Sequence, residues 1–202
     1  MVLPGYIAPM TVRCQIGPEK KNGNWIVIQR RYKGTENFFR GWEDYKNGFG
    51  DLKTEFFYGL EKVHRMTTHE QMELGWVVKR FNQKENYLIH EEFEIGDENS
   101  NYKIVEINRP RGYLPKDAVE ELRNMEFSTY DRKNDQHDME NCALTYRSGW
   151  WFKKCFKVNL NGVYTKKSER QTCHRCIRWV GLGEGLEFTM MMLRPREDSS
   201  SE

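Results

Sequence analysis

The sequence predicts an α+β fold centred on a mostly antiparallel sheet, and three observations carry that expectation. Apolar and aromatic residues alternate with period two in several separate segments. Helical spacing stands out in one short stretch, and no succession of strands and long helices calls for a parallel sheet. A chain of 202 residues suits one domain with a sizeable core better than two, and eleven Phe, ten Tyr and six Trp supply large surfaces to bury although only 38% of residues are apolar.

The elements follow in order. NWIVIQRR, residues 24–31, is rich in β-branched and aromatic residues and reads as a strand after the turn signal Asn22-Gly23, with Trp25 in the core. Phe38, Trp42, Tyr45 and Phe49 recur at steps of four, three and four, which is one face of a helix, and Gly48 and Gly50 stand where it would end. Met72, Leu74, Trp76 and Val78 alternate as a strand does; so do Tyr87 with Ile89, Phe93 with Ile95, and Tyr102 with Ile104. Leu186, Phe188, Met190 and Met192 form a last strand in which the methionines are packing residues. Between Met125 and Trp179 periodicity fades and Gly, Asn, Asp and Cys become frequent. A loop region of such length inside one domain is usually functional. The expected domain runs over residues 1–196, with a frayed tail at 197–202.

That loop region contains NCALTYRSGWWFKKCFKVNLNG, residues 141–162, in which two adjacent tryptophans lie between cysteines separated by twelve residues. It reads as a disulfide-clamped aromatic loop. A closure of that length stabilises a fold by ~3 kcal/mol in the chain-entropy model. Charge is polarised as well. The net charge is only +2, yet nine Lys or Arg and the single acid Glu169 fall between Arg147 and Arg178, while residues 85–98 are acidic. A basic run of this kind can steer anionic partners, and a solvated basic face is the plainer alternative.

Several chemistries find no support. GLGEG lacks the Gly-Lys-Ser/Thr that a phosphate loop needs. Cys173-His174-Arg175-Cys176 is a lone C-x-x-C without the second pair that a structural zinc site wants; a local disulfide, or Cys14 recruiting one of the two, fits better. A Cys-His nucleophile rests on residue types alone. No apolar run reaches the roughly 20 residues of a membrane helix, the opening MVLPGYIAPM lacks the regions of a secretory signal, and no asparagine stands in an N-x-Ser/Thr sequon. Five cysteines in an oxidising compartment leave one unpaired.

Four stretches in order carry a family likeness: NWIVIQRRYKGTENFFRGWEDYKNGFGDLKTEFFYGLEKVHRMT, FSTYDRKND, NCALTYRSGWWFKKCFKVNLNGVY and MMMLRP. From about Cys14 to Pro195 the chain resembles the fibrinogen C-terminal globular domain, the module also found in ficolins, tachylectins, tenascins and angiopoietins. The resemblance implies a central antiparallel sheet into which the last strand inserts, and a loop-rich C-terminal subdomain with a ligand pocket and a calcium site. It also implies extracellular placement and no catalysis. Relatives pair the position of Cys14 with an upstream cysteine, so the resemblance implies that the upstream part is incomplete here.

The same resemblance assigns sites. Cys142 and Cys155 fall at the family's C-terminal disulfide, with a cis peptide expected at Lys154-Cys155; two reduced thiols are the alternative in a cytosolic setting. The implied ligand pocket comprises Tyr146, Trp150, Trp151, Cys155 and Phe156, where Phe156 replaces the histidine of acetyl-binding relatives; core packing is the alternative for the two tryptophans and the better reading for at least one of them. Arg147, Lys153, Lys154, Lys157, Lys166 and Lys167 surround it. Relatives hold calcium with two aspartates two positions apart. Here Asp135 keeps the second place and Lys133 takes the first. Either Asp131 substitutes as a ligand and calcium is the cofactor, or the Lys133 charge stands in for the ion by pairing with Asp135.

The expected function is a non-catalytic extracellular recognition module for carbohydrate or another anionic surface ligand, with innate immune recognition among the implied roles. The alternatives are a matrix- or growth-factor-type module acting on a cell-surface protein, and a truncated member without a ligand of its own. Nucleic acid and membrane insertion are not expected, and homo-oligomerisation would run through the upstream region.

Overall fold

In the computed structural model, which describes residues 9–19, 24–165, 173–183 and 185–196, the β-branched run ahead of the aromatic helix becomes strand β2 (Asn24–Arg31). A short strand β1 (Arg13–Ile16) pairs antiparallel along one side of it. The short strands β3 (Phe49–Gly50) and β4 (Phe56–Phe57) extend the sheet beyond β2. The long strands β5 (Met72–Arg80), β6 (Glu85–Ile95) and β7 (Ile104–Gly112) form an antiparallel meander on the far side. The last strand, β10 (Leu186–Pro195), is inserted between β2 and β5, so that the order reads β3-β4-β2-β10-β5-β6-β7 with every pair antiparallel.

Position in the sheet explains the sequence pattern. β5 is buried from Met72 to Val78 and β10 from Thr189 to Leu193, and strands covered on both faces read as continuous apolar runs rather than clean alternations. Met190, Met191 and Met192 are all core residues.

The helix expected from Phe38 to Phe49 is shorter than its spacing suggested. α1 covers Trp42–Asn47, buries Trp42 and Tyr45, and stops at Gly48, whose φ of 94° suits glycine. Phe38 reaches the core from the extended segment before the helix, and Phe49 already lies in β3; their rings meet edge to face at 5.0 Å. The longest helix among the described residues is α2 (Leu60–His69), absent from the elements read above, whose Leu60, Val63, Met66 and Thr67 make a buried face at helical spacing. Tyr102 does not belong to a strand. It sits in a left-handed turn (φ 48°), its hydroxyl donates to Glu61 Oε2 at 2.9 Å, and β7 begins two residues later.

Beyond β7, α3 (Asp117–Glu120), α4 (Cys142–Tyr146) and the small pair β8 (Val158–Asn159) and β9 (Arg178–Trp179) lie within long loops. Aromatic rings join this region to the sheet: Trp76 of β5 packs on Trp179 at 5.8 Å and on Trp150 at 6.4 Å, and Phe127, which meets Trp151 edge to face at 4.9 Å, packs on Phe57 of β4 at 6.2 Å. Among the described residues no helix is long and apolar enough to cross a membrane. The Asn22-Gly23 turn and the tail at 197–202 lie outside the described residues.

Candidate functional site

The clamp is formed. Cys142 and Cys155 are disulfide-bonded, tying the first residue of α4 to the far end of the tryptophan loop, and the Lys154-Cys155 peptide is cis. Asn141 caps α4, its Oδ1 accepting from Leu144 N at 3.0 Å, and Arg147 ends the helix in a left-handed conformation (φ 54°). Cys173 and Cys176 form the local disulfide, and Cys14 is an exposed free thiol.

The two tryptophans do not line a pocket. Trp150 is 0% and Trp151 2% exposed. Trp150 exchanges backbone hydrogen bonds with Ser128, and Trp151 Nε1 donates to Tyr102 O at 2.8 Å. The physical reason is packing: their rings fill the junction between sheet and loops against Trp76 and Phe127, which removes them from any ligand surface. Tyr146 and Phe156 are half-buried and meet edge to face at 4.7 Å, with Phe152 behind Phe156 at 5.9 Å. Phe156 therefore offers an apolar ring edge where acetyl-binding relatives would place an imidazole.

The calcium expectation meets a different arrangement. Asp131 turns away from Asp135: its Oδ1 accepts from Trp42 N at 3.0 Å and from Thr129 Oγ1 at 2.7 Å. Asp135, whose side chain is fully buried, uses Oδ2 to accept from Cys142 N at 3.1 Å and Oδ1 to accept from His137 N at 3.0 Å. The Lys133 ammonium lies 3.0 Å from that same Oδ1. One carboxylate already bonded to an ammonium does not fit a hard dication that takes six to eight oxygens. Among the described residues no group of three His, Cys, Asp or Glu converges as a metal cage.

Of the basic surround, Lys154 pairs with Asp138 at 3.0 Å and Lys157 with Glu121 at 3.6 Å. Lys153 and Arg147 are exposed and have no ion pair among the described residues. Lys166 and Lys167 lie outside the described residues.

Arg147 leads to a site that sequence reasoning missed. Its guanidinium stacks over the Phe39 ring at 4.9 Å, and Phe39 in turn packs on Tyr130 at 4.9 Å. Arg147 and Phe39 rim a cleft of about 340 Å³ lined also by Arg31, Glu36, Phe38, Asn161 and Tyr164, among others. Arg31 is wholly buried, stacked 3.8 Å over Phe38, donating to Gly162 O at 2.9 Å and lying 3.8 Å from Glu55 Oε1. Burial lowers its pKa to about 10 against the upward pull of Glu55. Asn161 is held by Gln29 Nε2 (3.1 Å) and donates to Gly149 O (3.0 Å).

Glu55 builds one wall. Its two oxygens accept from the backbone N–H groups of Tyr32, Lys33, Gly34, Thr35 and Glu36 and from the Thr35 hydroxyl. Burial pushes this carboxyl up, but the ring of donors outweighs it and brings the pKa down to about 2. No sequence signal marks Glu55, because its partners are backbone groups some twenty residues away.

Comparison with known proteins places this geometry. The family model described as "Fibrinogen beta and gamma chains, C-terminal globular domain" matches residues 2–196. Tenascin-R of Gallus gallus is 38% identical over 175 residues, covering 86% of this chain and 12% of its own length. Ryncolin-4 of Cerberus rynchops is 31% identical over 204 residues, covering 99% of this chain and 57% of its own. The chain thus spans only a part of these relatives. Among solved structures, the fibrinogen-like globe domain of human ANGPTL2 superposes with a TM-score of 0.88 at 29% identity, covering 97% of this chain and 90% of that one. Lamprey fibrin D-dimer, complexed with the peptide ligand Gly-His-Arg-Pro-amide, gives 0.77 at 27% identity, covering 97% and 68%.

Proposed function

The chain belongs to the fibrinogen C-terminal globular domain family, and from that premise we propose that it is a non-catalytic extracellular recognition module that binds an anionic surface ligand, a sulfated or otherwise acidic glycan, at the Arg147 rim. The observation that carries this reading is the exposed Arg147 guanidinium, without an ion pair among the described residues, held over Phe39 at the mouth of a cleft. A cation on an aromatic face offers charge to an acidic group and a flat surface to a sugar ring. Lys153, of the same basic stretch of sequence, is exposed and has no ion pair among the described residues. Two disulfides fit an oxidising, extracellular setting.

The test is retention of the domain on immobilised heparin at rising salt. Retention at low salt is expected, with Arg147→Glu eluting earlier at an unchanged melting temperature. Passage through the column at low salt would remove the polyanion reading. A second reading, a module engaging a cell-surface protein, draws support from the similarity to tenascin-R and from the peptide bound by lamprey fibrin. Salt-insensitive binding to a protein without glycan binding would favour it.

A further inference from the structure

The structure assigns to Lys133 the role of a built-in cation: its ammonium, on a side chain that is 39% exposed, bonds the oxygens of the loop that runs into α4 and does there the work for which this fold's calcium loop employs a metal ion. An ammonium has three N–H donors. Lys133 directs all of them to oxygens of its own loop: Asp135 Oδ1 at 3.0 Å, Asp135 O at 3.2 Å and His137 O at 2.8 Å. A carboxylate and two converging backbone carbonyls form the kind of oxygen set a hard cation gathers. Here the charge that gathers them is covalently attached two residues from the carboxylate.

The arrangement also organises the helix. The carboxylate neutralised by Lys133 is fully buried, and its other oxygen accepts from Cys142 N, the first residue of α4. Without a counter-charge, Asp135 would be a buried anion facing only N–H groups. With it, residues 133–142 are fixed to the disulfide and to the helix whose end presents Arg147. Asp131 cannot complete a metal shell, because its oxygens are occupied by Trp42 N and Thr129 Oγ1. The ammonium and a dication would repel one another within the same few ångströms. The loop is therefore set without calcium and remains set where calcium is scarce.

The test compares the unaltered domain with Lys133→Met and Lys133→Asp by thermal unfolding in a chelator and in calcium, together with calcium calorimetry. The unaltered domain should melt at the same temperature in both and give no binding heat. Lys133→Met should melt several degrees lower in both, since the buried carboxylate loses its partner and gains no ligand. Lys133→Asp places a second carboxylate two positions before Asp135 and should become calcium-responsive, its midpoint rising by about 3 to 10 °C when calcium exceeds the dissociation constant by one to two orders of magnitude. Calcium binding by the unaltered domain, or a Lys133→Met variant as stable as the parent, would overturn the assignment. Should Lys133→Asp not fold, calorimetry on the parent and the melting point of Lys133→Met still decide it.

Discussion

Replacing Glu55 with glutamine should weaken the fold by about 3 kcal/mol at neutral pH, and the figure comes from its proton linkage. The Glu55 carboxyl falls from 4.5 to about 2 on folding because five backbone N–H groups, the Thr35 hydroxyl and the Arg31 charge stabilise its ionised form more than burial opposes it. At ~1.4 kcal/mol per pK unit this is roughly 3 kcal/mol of stability, fully present above the unfolded value and lost as pH falls through the folded one. By about pH 3 some 2 kcal/mol of it should be gone. Glutamine keeps the shape but offers one acceptor oxygen where there were two, and turns an N–H donor toward other donors. For a chain of this size the loss lowers the midpoint by about 6 to 12 °C. Urea unfolding at neutral and acid pH measures both parts, and hydrogen exchange should quicken at the amides of residues 32–36. A Glu55→Gln protein within about 1 kcal/mol of the parent at pH 7, or one that destabilises on acidification as steeply as the parent, would refute the linkage.

Trp151→Ala should unfold about 3 to 5 kcal/mol more easily, the range for truncating a large buried aromatic, and its effect on ligand binding should vanish wherever the variant is fully folded. Opening the Cys142–Cys155 bond with a double serine substitution should lower stability by about 3 kcal/mol. The same change at Cys173 and Cys176, which closes a much shorter loop, should lower it by about 2 kcal/mol. Denaturant titration of the two double variants gives the ordering, and a larger loss at the shorter loop would contradict the chain-entropy account.

What the sequence made legible depended on how far apart the interacting groups lie. The β2 strand, the meander and the local Cys173–Cys176 bond were readable because alternation and short spacing are local properties. Phe38 and Phe49 kept helical spacing without being helical, since the packing that joins them is tertiary and Gly48 breaks the helix between them. α2 was overlooked although its spacing was present, because its apolar positions are only Leu60, Val63 and Met66 among charged neighbours. Core packing was expected for at least one of the two tryptophans and holds for both, because the Trp76 and Phe127 rings that enclose them come from elsewhere in the chain, where a clamped aromatic loop alone gives no sign of them. The cleft could not be read at all, for it joins residues 31–39 to residues 147–164. At the calcium loop the sequence left open a substitute ligand at Asp131, a pair between Lys133 and Asp135, and a solvated turn, because whether Asp131 faces Asp135 or α1 is a tertiary property; its carboxylate accepts from Trp42 N while Lys133 pairs with Asp135.

Glu55 and Lys133 point to one design for the ligand face. On one side of the cleft a buried anion collects the donors of residues 32–36. Away from the cleft lining, the Lys133 ammonium collects the acceptors of residues 135–137, and through Asp135 it sets the start of α4, the helix that ends at Arg147. Asn141, at that same helix start, donates to Tyr130 O, and Tyr130 packs on the Phe39 ring beneath Arg147. Both loops are thus drawn into shape by charges that belong to the chain and are compensated within it, whereas Arg147 and Lys153 are exposed and have no ion pair among the described residues. Buried and compensated charges respond weakly to ionic strength, while exposed ones respond strongly. Salt should therefore act on ligand capture at the rim while leaving the wall held by the buried Glu55 and Arg31 in place.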